Sequence, residues 1–127
     1  MRPSEDEYYL EIAKAVAQRS TCLRRQYGAV IVNNKEIIAT GYNGVPRGDE
    51  HCSSCSREGY EHNDGNYGSC RSVHAEMNAI ISASRREMLG STLYLAGFED
   101  GKLISAEPCP ICSRIIKNAG IKKVVRT

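Results

Sequence analysis

The sequence has no long hydrophobic run and no export signal. No segment approaches the roughly 18 apolar residues that a membrane-spanning helix requires. The N-terminal segment Met1–Glu7 is polar and acidic, whereas a secretory signal peptide has a basic start and an apolar core. We therefore expect no membrane partner and a cytoplasmic location.

An excess of charge of one sign is also missing. The 127 residues hold 17 Lys and Arg against 15 Asp and Glu, which gives a net charge of +2. A chain held on nucleic acid by its overall charge would be strongly basic, so we do not expect nucleic acid as a partner. The length leaves no room for two domains of ordinary size, so residues 1–127 are expected to form a single domain.

Cysteine, in contrast, is abundant. Of the six cysteines, four stand in the C-x-x-C pairs Cys52/Cys55 and Cys109/Cys112. Disulfides are rare in reducing compartments, where closely spaced cysteines are typical of metal ligands or redox sites. The cysteine pattern therefore favours a metal-binding protein.

The first third of the chain predicts a helix and a hairpin. Ser4-x-x-Glu7 has the form of a capping box, and apolar residues follow at helical spacing to about Arg19. The β-branched segments Gly28–Asn33 and Glu36–Thr40 predict two strands. Because only the turn residues Asn33–Lys35 join them, the strands are expected to pair antiparallel.

The second half predicts alternating helices and strands, in the overall order αββαβαβ. The expected elements are a helix His74–Arg86, a strand Ser91–Ala96, a loop Gly97–Glu107, a helix Cys109–Ala119 and a strand Ile121–Val125. Strand–helix–strand units pair in parallel through right-handed crossovers. We therefore predict a three-layer α/β fold, with a mixed sheet that begins as an antiparallel hairpin, parallel βαβ units, and helices on both faces.

Two short motifs carry candidate chemistry, and each begins a predicted helix. They are His74-Ala75-Glu76 and Pro108-Cys109-Pro110-Ile111-Cys112. The two cysteines are three residues apart, so both thiolates lie on one face of the first helical turn. With His74 they make a His-Cys-Cys set, and three protein ligands on zinc leave the fourth position for water, which is typical of a catalytic site.

Glu76 follows the candidate ligand His74 by two residues and is predicted to move protons without binding the metal. Zinc lowers the pKa of bound water from about 15.7 toward about 7. The H-x-E and P-C-x-x-C motifs together are the arrangement of zinc-dependent deaminases of nucleobases. A purely structural zinc site has no need of a proton carrier, so Glu76 argues against a non-catalytic zinc module.

Over nearly its whole length the sequence resembles the cytidine/deoxycytidylate deaminase superfamily, and within it the deoxycytidylate branch. The residues that carry the resemblance are Arg19-Ser-Thr-Cys-Leu-Arg24, Gly28–Val32, Gly41-Tyr-Asn-Gly-Val-Pro46, His51-Cys52, Val73–Ile80 and Pro108–Cys112. The resemblance implies hydrolysis of dCMP to dUMP and ammonia for thymidylate synthesis. It also implies a homo-oligomer, often a hexamer, that dCTP and dTTP regulate together with Mg²⁺.

Two substrate contacts follow from the resemblance alone. Asn43 resembles the residue that hydrogen-bonds the sugar hydroxyl, although an asparagine in a turn is the plainer interpretation. The backbone N–H of Ala75 resembles a contact to the pyrimidine ring. For the phosphate, the sequence offers Arg24, Arg25, Arg47 and Arg71 and does not choose among them.

The remaining cysteines predict a second, structural zinc. Residues 41–72 contain six of the eleven glycines and few aliphatic side chains, so something other than an apolar core is expected to order them. Some relatives of the family carry a second zinc in this region. Four thiolates match a closed zinc site, namely Cys22, Cys52, Cys55 and Cys70, with His51 or His62 as replacements.

Other deaminases remain alternatives. Cytidine deaminases usually carry cysteine in place of His74, and tRNA adenosine deaminases lack the G-Y-N-G-x-P segment. A riboflavin-pathway deaminase normally has a longer spacing between its cysteines. The loop Gly97–Glu107 is longer than in typical members of the superfamily and is expected to border the pocket, so the substrate is left open among dCMP, CMP and nucleosides.

Overall fold

The computed structural model describes residues 1–53, 70 and 72–127. The helices within these residues are α1 (Glu5–Ala17), α2 (Ala75–Ile81), α3 (Arg85–Met88) and α4 (Pro110–Asn118). The strands are β1 (Arg25–Asn33), β2 (Glu36–Tyr42), β3 (Thr92–Glu99), β4 (Lys102–Ile104) and β5 (Lys123–Arg126). No helix in the described part of the chain is both long and apolar enough to cross a membrane.

The strands form one mixed sheet around β1 and β3. Strand β1 pairs antiparallel with β2 on one side and with β3 on the other. The outer edge of β3 is shared, since β5 pairs with its first half in parallel and β4 pairs with its second half antiparallel. Thr127 fills the junction, because its Oγ1 accepts from the N–H of Gly97 and donates to the carbonyl of Ile104.

Helices cover both faces of the sheet, as predicted. Alternating side chains of a strand point to opposite faces. One face packs against α1, and its buried residues are Tyr9, Ala13, Val30, Val32, Tyr94 and Ala96. The other face packs against α2, α3 and α4, and its buried residues include Ala29, Ile31, Ala75, Ala79, Met88, Leu93, Leu95 and Ile116. The three-layer α/β fold and the parallel pairing of β3 with β5 are therefore confirmed.

Two glycines let helices approach the sheet backbone to backbone. A Cβ on Gly28 would collide with the carbonyl of Ala13 and the N–H of Ala17 in α1. A Cβ on Gly41 would lie 2.5 Å from the carbonyl oxygen of Ala75 in α2. Helix α2, which follows His74, is thus seated directly on the main chain of β2.

The predicted first helix and hairpin are confirmed. Ser4 caps α1 in a complete capping box with Glu7. The turn between β1 and β2 places Asn34 and Lys35 at positive φ angles of 50° and 64°, which matches a hairpin turn. Both strands are longer than predicted, because β1 begins at Arg25 and β2 continues to Tyr42.

Two predictions about the second half are wrong. The helix predicted over His74–Arg86 is two helices, because Ser84 starts α3 with its own capping box to Glu87. The loop predicted over Gly97–Glu107 contains the β3–β4 hairpin, whose turn places Asp100 and Gly101 at positive φ. Asp-Gly is a strong sequence signal for such a hairpin turn. With the divided helix and the added hairpin, the observed order of elements is αββααββαβ.

Candidate active site

Two helix starts face each other across the site. His74 is the N-cap of α2, and Cys109 is the N-cap of α4 with Pro110 at the first helical position. The Cys109 side chain accepts the backbone N–H of Cys112 at 3.4 Å, as a capping residue does. The His74 side chain makes no capping hydrogen bond, since its ring turns toward the two cysteines.

His74, Cys109 and Cys112 form a compact set of metal donors. Their ligand atoms all lie within 4.8 Å of one another. The Nδ1 atom of His74 is 3.2 Å from Sγ of Cys112 and 3.5 Å from Sγ of Cys109. Ligands at about 2.0 and 2.3 Å from a tetrahedral zinc are separated by about 3.5 Å. One nitrogen and two sulfurs at these separations therefore fit zinc, with one position left for a small molecule.

Burial shapes the protonation of these donors. It lowers the pKa of His74, which favours the neutral ring that a metal requires. It also raises the pKa of the Cys112 thiol, and the charges of Glu76 and Cys109 raise it further. Metal binding at this site must therefore displace a proton from at least one thiol.

Glu76 lies beside the donor set. Only 5% of the residue is exposed, and its carboxyl group is close enough to the Cys112 thiol for their charges to interact. Burial raises the pKa of Glu76, because the charged carboxylate loses its contact with water. A carboxyl group with a raised pKa next to a metal position is suited to accept and return a proton.

Asn43 connects the end of β2 to the start of β1. Its side-chain oxygen accepts the N–H of Tyr27 at 2.8 Å, and its amide donates to the carbonyl of Arg25 at 2.9 Å. The hydroxyl of Ser20 donates to its backbone carbonyl at 2.8 Å. The residue is 7% exposed, so its side chain holds the backbone of β1 and keeps one amide hydrogen for another partner.

Ala75 is the first residue of α2 and is buried against the sheet. The first N–H groups of a helix have no partner within the helix. The predicted ring contact from the N–H of Ala75 thus starts from a donor that points out of the helix next to His74 and Glu76.

The second set of cysteines is described in part. Cys55 and His62 lie outside the described residues, as does the candidate phosphate ligand Arg71. Burial raises the pKa of Cys22, and the charges of Cys70 and Cys52 contribute to the increase, so each of these two thiols lies within electrostatic range of Cys22.

A groove of about 570 Å³ lies on the other side of α2. It is lined by Gly41, Tyr42 and the segment 44–49, by the exposed side of α2 and by His51. The predicted alternative ligand His51 is exposed and faces this groove.

Sequence reasoning missed a cross-strand ion pair next to the site. The Nε atom of Arg25 lies 2.5 Å from Oε1 of Glu99, although 74 positions separate the residues. Tyr27, on the same face of β1, packs against Gly97 of β3. The alternation of β1 predicts that Arg25 and Tyr27 share a face, but the register between β1 and β3 is not readable from the sequence.

Comparisons with known proteins agree with this geometry. The family described as the cytidine and deoxycytidylate deaminase zinc-binding region matches residues 3–127. The deoxycytidylate deaminase of Mycobacterium phage D29 is 42% identical over 130 residues, which cover 98% of this chain and 94% of the phage protein. That of Schizosaccharomyces pombe is 39% identical over 135 residues, which cover 98% of this chain and 37% of the yeast protein.

A solved structure is similar as well. It is the dCMP deaminase of cyanophage S-TIM5 in complex with dCMP and dUMP, with a TM-score of 0.73 and 32% sequence identity. The match covers 99% of this chain and 82% of the phage chain. The family match spans both helix starts and nearly the entire chain, so this chain belongs to the cytidine and deoxycytidylate deaminase family.

Proposed function

We propose that this chain is a zinc-dependent deaminase that hydrolyses dCMP to dUMP and ammonia, and that residues 1–127 act as one domain. The observation that carries the proposal is the His74, Cys109 and Cys112 donor set with the buried Glu76 beside it. Relatives of similar length and a similar structure with dCMP and dUMP support the choice of substrate.

The residues of the chain divide the work as follows. Zinc held by His74, Cys109 and Cys112 would supply a water of lowered pKa. Glu76 takes a proton from this water and passes it to the ring nitrogen next to the amine-bearing carbon of cytosine. The remaining hydroxide adds to that carbon. Glu76 then takes the proton of the new hydroxyl group and transfers it to the amino group, which leaves as ammonia while the carbonyl of uracil forms. The N–H of Ala75 and the remaining amide hydrogen of Asn43 hold the ring and the sugar.

A second zinc completes the cofactor proposal. Cys22, Cys52 and Cys70 supply three ligands from separate parts of the chain, and the fourth is Cys55 or one of the histidines His51 and His62. Such a site would tie the segment after α1 to the approach of His74. Because both zinc sites need reduced thiols, we also propose a cytoplasmic location.

The groove beside α2 is proposed as the site of the effectors dCTP and dTTP with Mg²⁺. Its volume is sufficient for a nucleotide, and Arg47 provides positive charge. The exposed side chains Tyr42 and Ile81, at 39% and 76%, lie on the same side of the molecule. We propose that a homo-oligomer, a hexamer by family resemblance, covers part of this surface.

The test is a substrate panel with zinc-loaded protein. Ammonia release and the absorbance change are measured with dCMP, CMP, deoxycytidine and adenosine, each with and without dCTP and Mg²⁺. We expect turnover of dCMP and stimulation by dCTP, while light scattering reports the oligomer. Turnover of another amine but not of dCMP would contradict the assignment of dCMP as the substrate. No turnover of any of these compounds by a zinc-loaded, folded protein would contradict the proposed deaminase activity.

A further inference from the structure

We infer that Arg25 recognises the phosphate of the substrate and that Glu99 is a positioning residue which holds Arg25 for this task. The Arg25–Glu99 pair would then make the pocket select nucleotides over nucleosides. The inference rests on the proposed function, since it assigns the phosphate end of the same substrate.

The pair lies on the face of the sheet that carries the donor set. Arg25 and Glu99 are direct partners in the β1–β3 register. Every second side chain of β1 points to the same face, which carries Arg25, Tyr27 and Ala29. Ala29 packs in the buried cluster that also contains Ala75. The guanidinium therefore stands on the same side of the sheet as the start of α2.

The pair also lies at the same end of the sheet as the donor set. Asn43 is hydrogen-bonded to Tyr27, and the next residue, Gly44, forms an antiparallel bridge with Val73, the neighbour of His74. The start of α2 is thus level with Tyr27, and Arg25 is about 7 Å further along β1. The hydroxyl of Tyr27 accepts from Nη1 of Arg25 at 3.4 Å, and Tyr27 is also close enough to Glu76 for that carboxylate to affect its pKa, which burial raises.

The hydrogen bonds of Arg25 leave one edge of its guanidinium available. The Nε atom contacts Glu99, and Nη1 donates to the hydroxyl of Tyr27 at 3.4 Å. A guanidinium has five N–H groups in a fixed fork, so three have no partner within the described part of the chain. The side chain is 21% exposed, which leaves that edge open to a ligand. Arginine held in this way suits the bidentate geometry of a phosphate.

The other cations offered by the sequence are placed less well. Arg47 lines the groove beside α2, and Glu76 is not among the residues that line it. Arg71 lies outside the described residues. Arg24 is within electrostatic range of Tyr27, but it precedes β1 and is not part of the β1–β3 register that holds Arg25 against Glu99.

Glu99 stands immediately before the Asp100–Gly101 turn, so the β3–β4 hairpin sets the position of its carboxylate.

The test compares the binding of dUMP and deoxyuridine by isothermal titration calorimetry with zinc-loaded protein. Deoxyuridine is the proposed product dUMP without its phosphate, and the binding of either compound does not depend on turnover. We expect the wild type to bind dUMP about 10- to 100-fold more tightly than deoxyuridine, since a charge-assisted hydrogen-bonded contact is of this strength. Arg25→Ala should remove most of this difference while leaving the affinity for deoxyuridine unchanged.

The role of Glu99 is tested with Glu99→Gln and the double variant. Glu99→Gln should weaken dUMP binding severalfold, and it should have no further effect in the Arg25→Ala background, because Glu99 acts through Arg25. Arg25→Lys provides a second variant if Arg25→Ala does not fold, and it should also lose dUMP affinity since lysine lacks the fork. Arg86→Ala, at an exposed arginine of α3, is the matched control and should keep the ratio of the two affinities.

The outcomes separate the two proposals. Equal affinities of the wild type for dUMP and deoxyuridine, or no dUMP binding, would overturn the inference whatever the activity. An unchanged ratio in folded Arg25→Ala or Arg25→Lys would overturn it as well, and additive effects of Glu99→Gln would overturn the positioning role. Tight dUMP binding that depends on Arg25, without turnover of dCMP, would overturn the proposed function and leave this inference standing.

Discussion

The Nδ1 atom of His74 lies 3.2 Å from the Sγ atom of Cys112, although 38 positions separate the two residues. The two side chains belong to the starts of different helices, α2 and α4, which pack on the same face of the sheet. The donor set is therefore assembled by the tertiary structure, and the buried carboxyl group of Glu76 is positioned by the first turn of α2.

Glu76→Gln is expected to keep the zinc and lose turnover. The side chain keeps its size but can no longer accept a proton, which costs about 10²- to 10⁴-fold in rate. Metal analysis and ammonia release on the same preparation check both parts. Cys109→Ala is the comparison variant, because it should lose the zinc together with the activity. If Glu76→Gln retains activity within tenfold of the wild type, the proposed role of Glu76 in proton transfer is wrong.

Zinc affinity is expected to rise with pH. Burial raises the pKa of Cys112, so the free thiol holds its proton at neutral pH, whereas His74 has a lowered pKa and is already neutral. Each proton that zinc displaces adds about tenfold in apparent affinity per pH unit. Competition with a chelator between pH 6.5 and 8.5 measures this slope for the catalytic site, and a flat profile would contradict the assignment of the thiols.

Cys52→Ala is expected to reduce the zinc content by one ion and to destabilise the fold before it alters the chemistry. Loss of a structural metal costs about 3 kcal/mol or more in the free energy of unfolding. Metal analysis and thermal unfolding provide the measurement. If melting temperature and zinc content equal those of the wild type, the second zinc site is wrong.

Ser84→Ala is expected to lower the free energy of unfolding by about 1 kcal/mol and to leave activity unchanged. Its hydroxyl accepts the N–H of Glu87 at 3.3 Å and caps α3, which is remote from the donor set in sequence. Ser82→Ala is the control: Ser82 is the C-cap residue of α2, but its hydroxyl donates to the carbonyl of Asn78 and accepts no N–H at a helix start. Equal unfolding of both variants in urea would argue against the cap.

Local signals explain what the sequence could predict. The spacing of Cys109 and Cys112 and the Ser4 capping box depend on residues a few positions apart, and both predictions of helices hold. Two equally local signals were missed. The capping box Ser84-x-x-Glu87 lies within an apolar pattern that suggested one continuous helix, and the turn Asp100-Gly101 lies within a segment interpreted as a loop. The zinc ligand roles stay predictions that metal analysis must test.

Non-local relationships could not be predicted in the same way. The pairing of Arg25 with Glu99 depends on the register of two strands that are distant in sequence. The use of the Asn43 side chain to hold the backbone of β1 depends on how the end of β2 bends toward that strand. These contacts require the folded sheet.

Gly28 and Gly41 lie on neighbouring strands, and each lets a helix rest on main-chain atoms. The height of α2 above the sheet is thus fixed by peptide groups and depends little on the volume of core side chains such as Ile31 and Leu95. Substitutions in the core during evolution would then alter the stability of the protein more than the spacing of its metal donors. A chain built in this way can diverge widely while its chemistry is preserved.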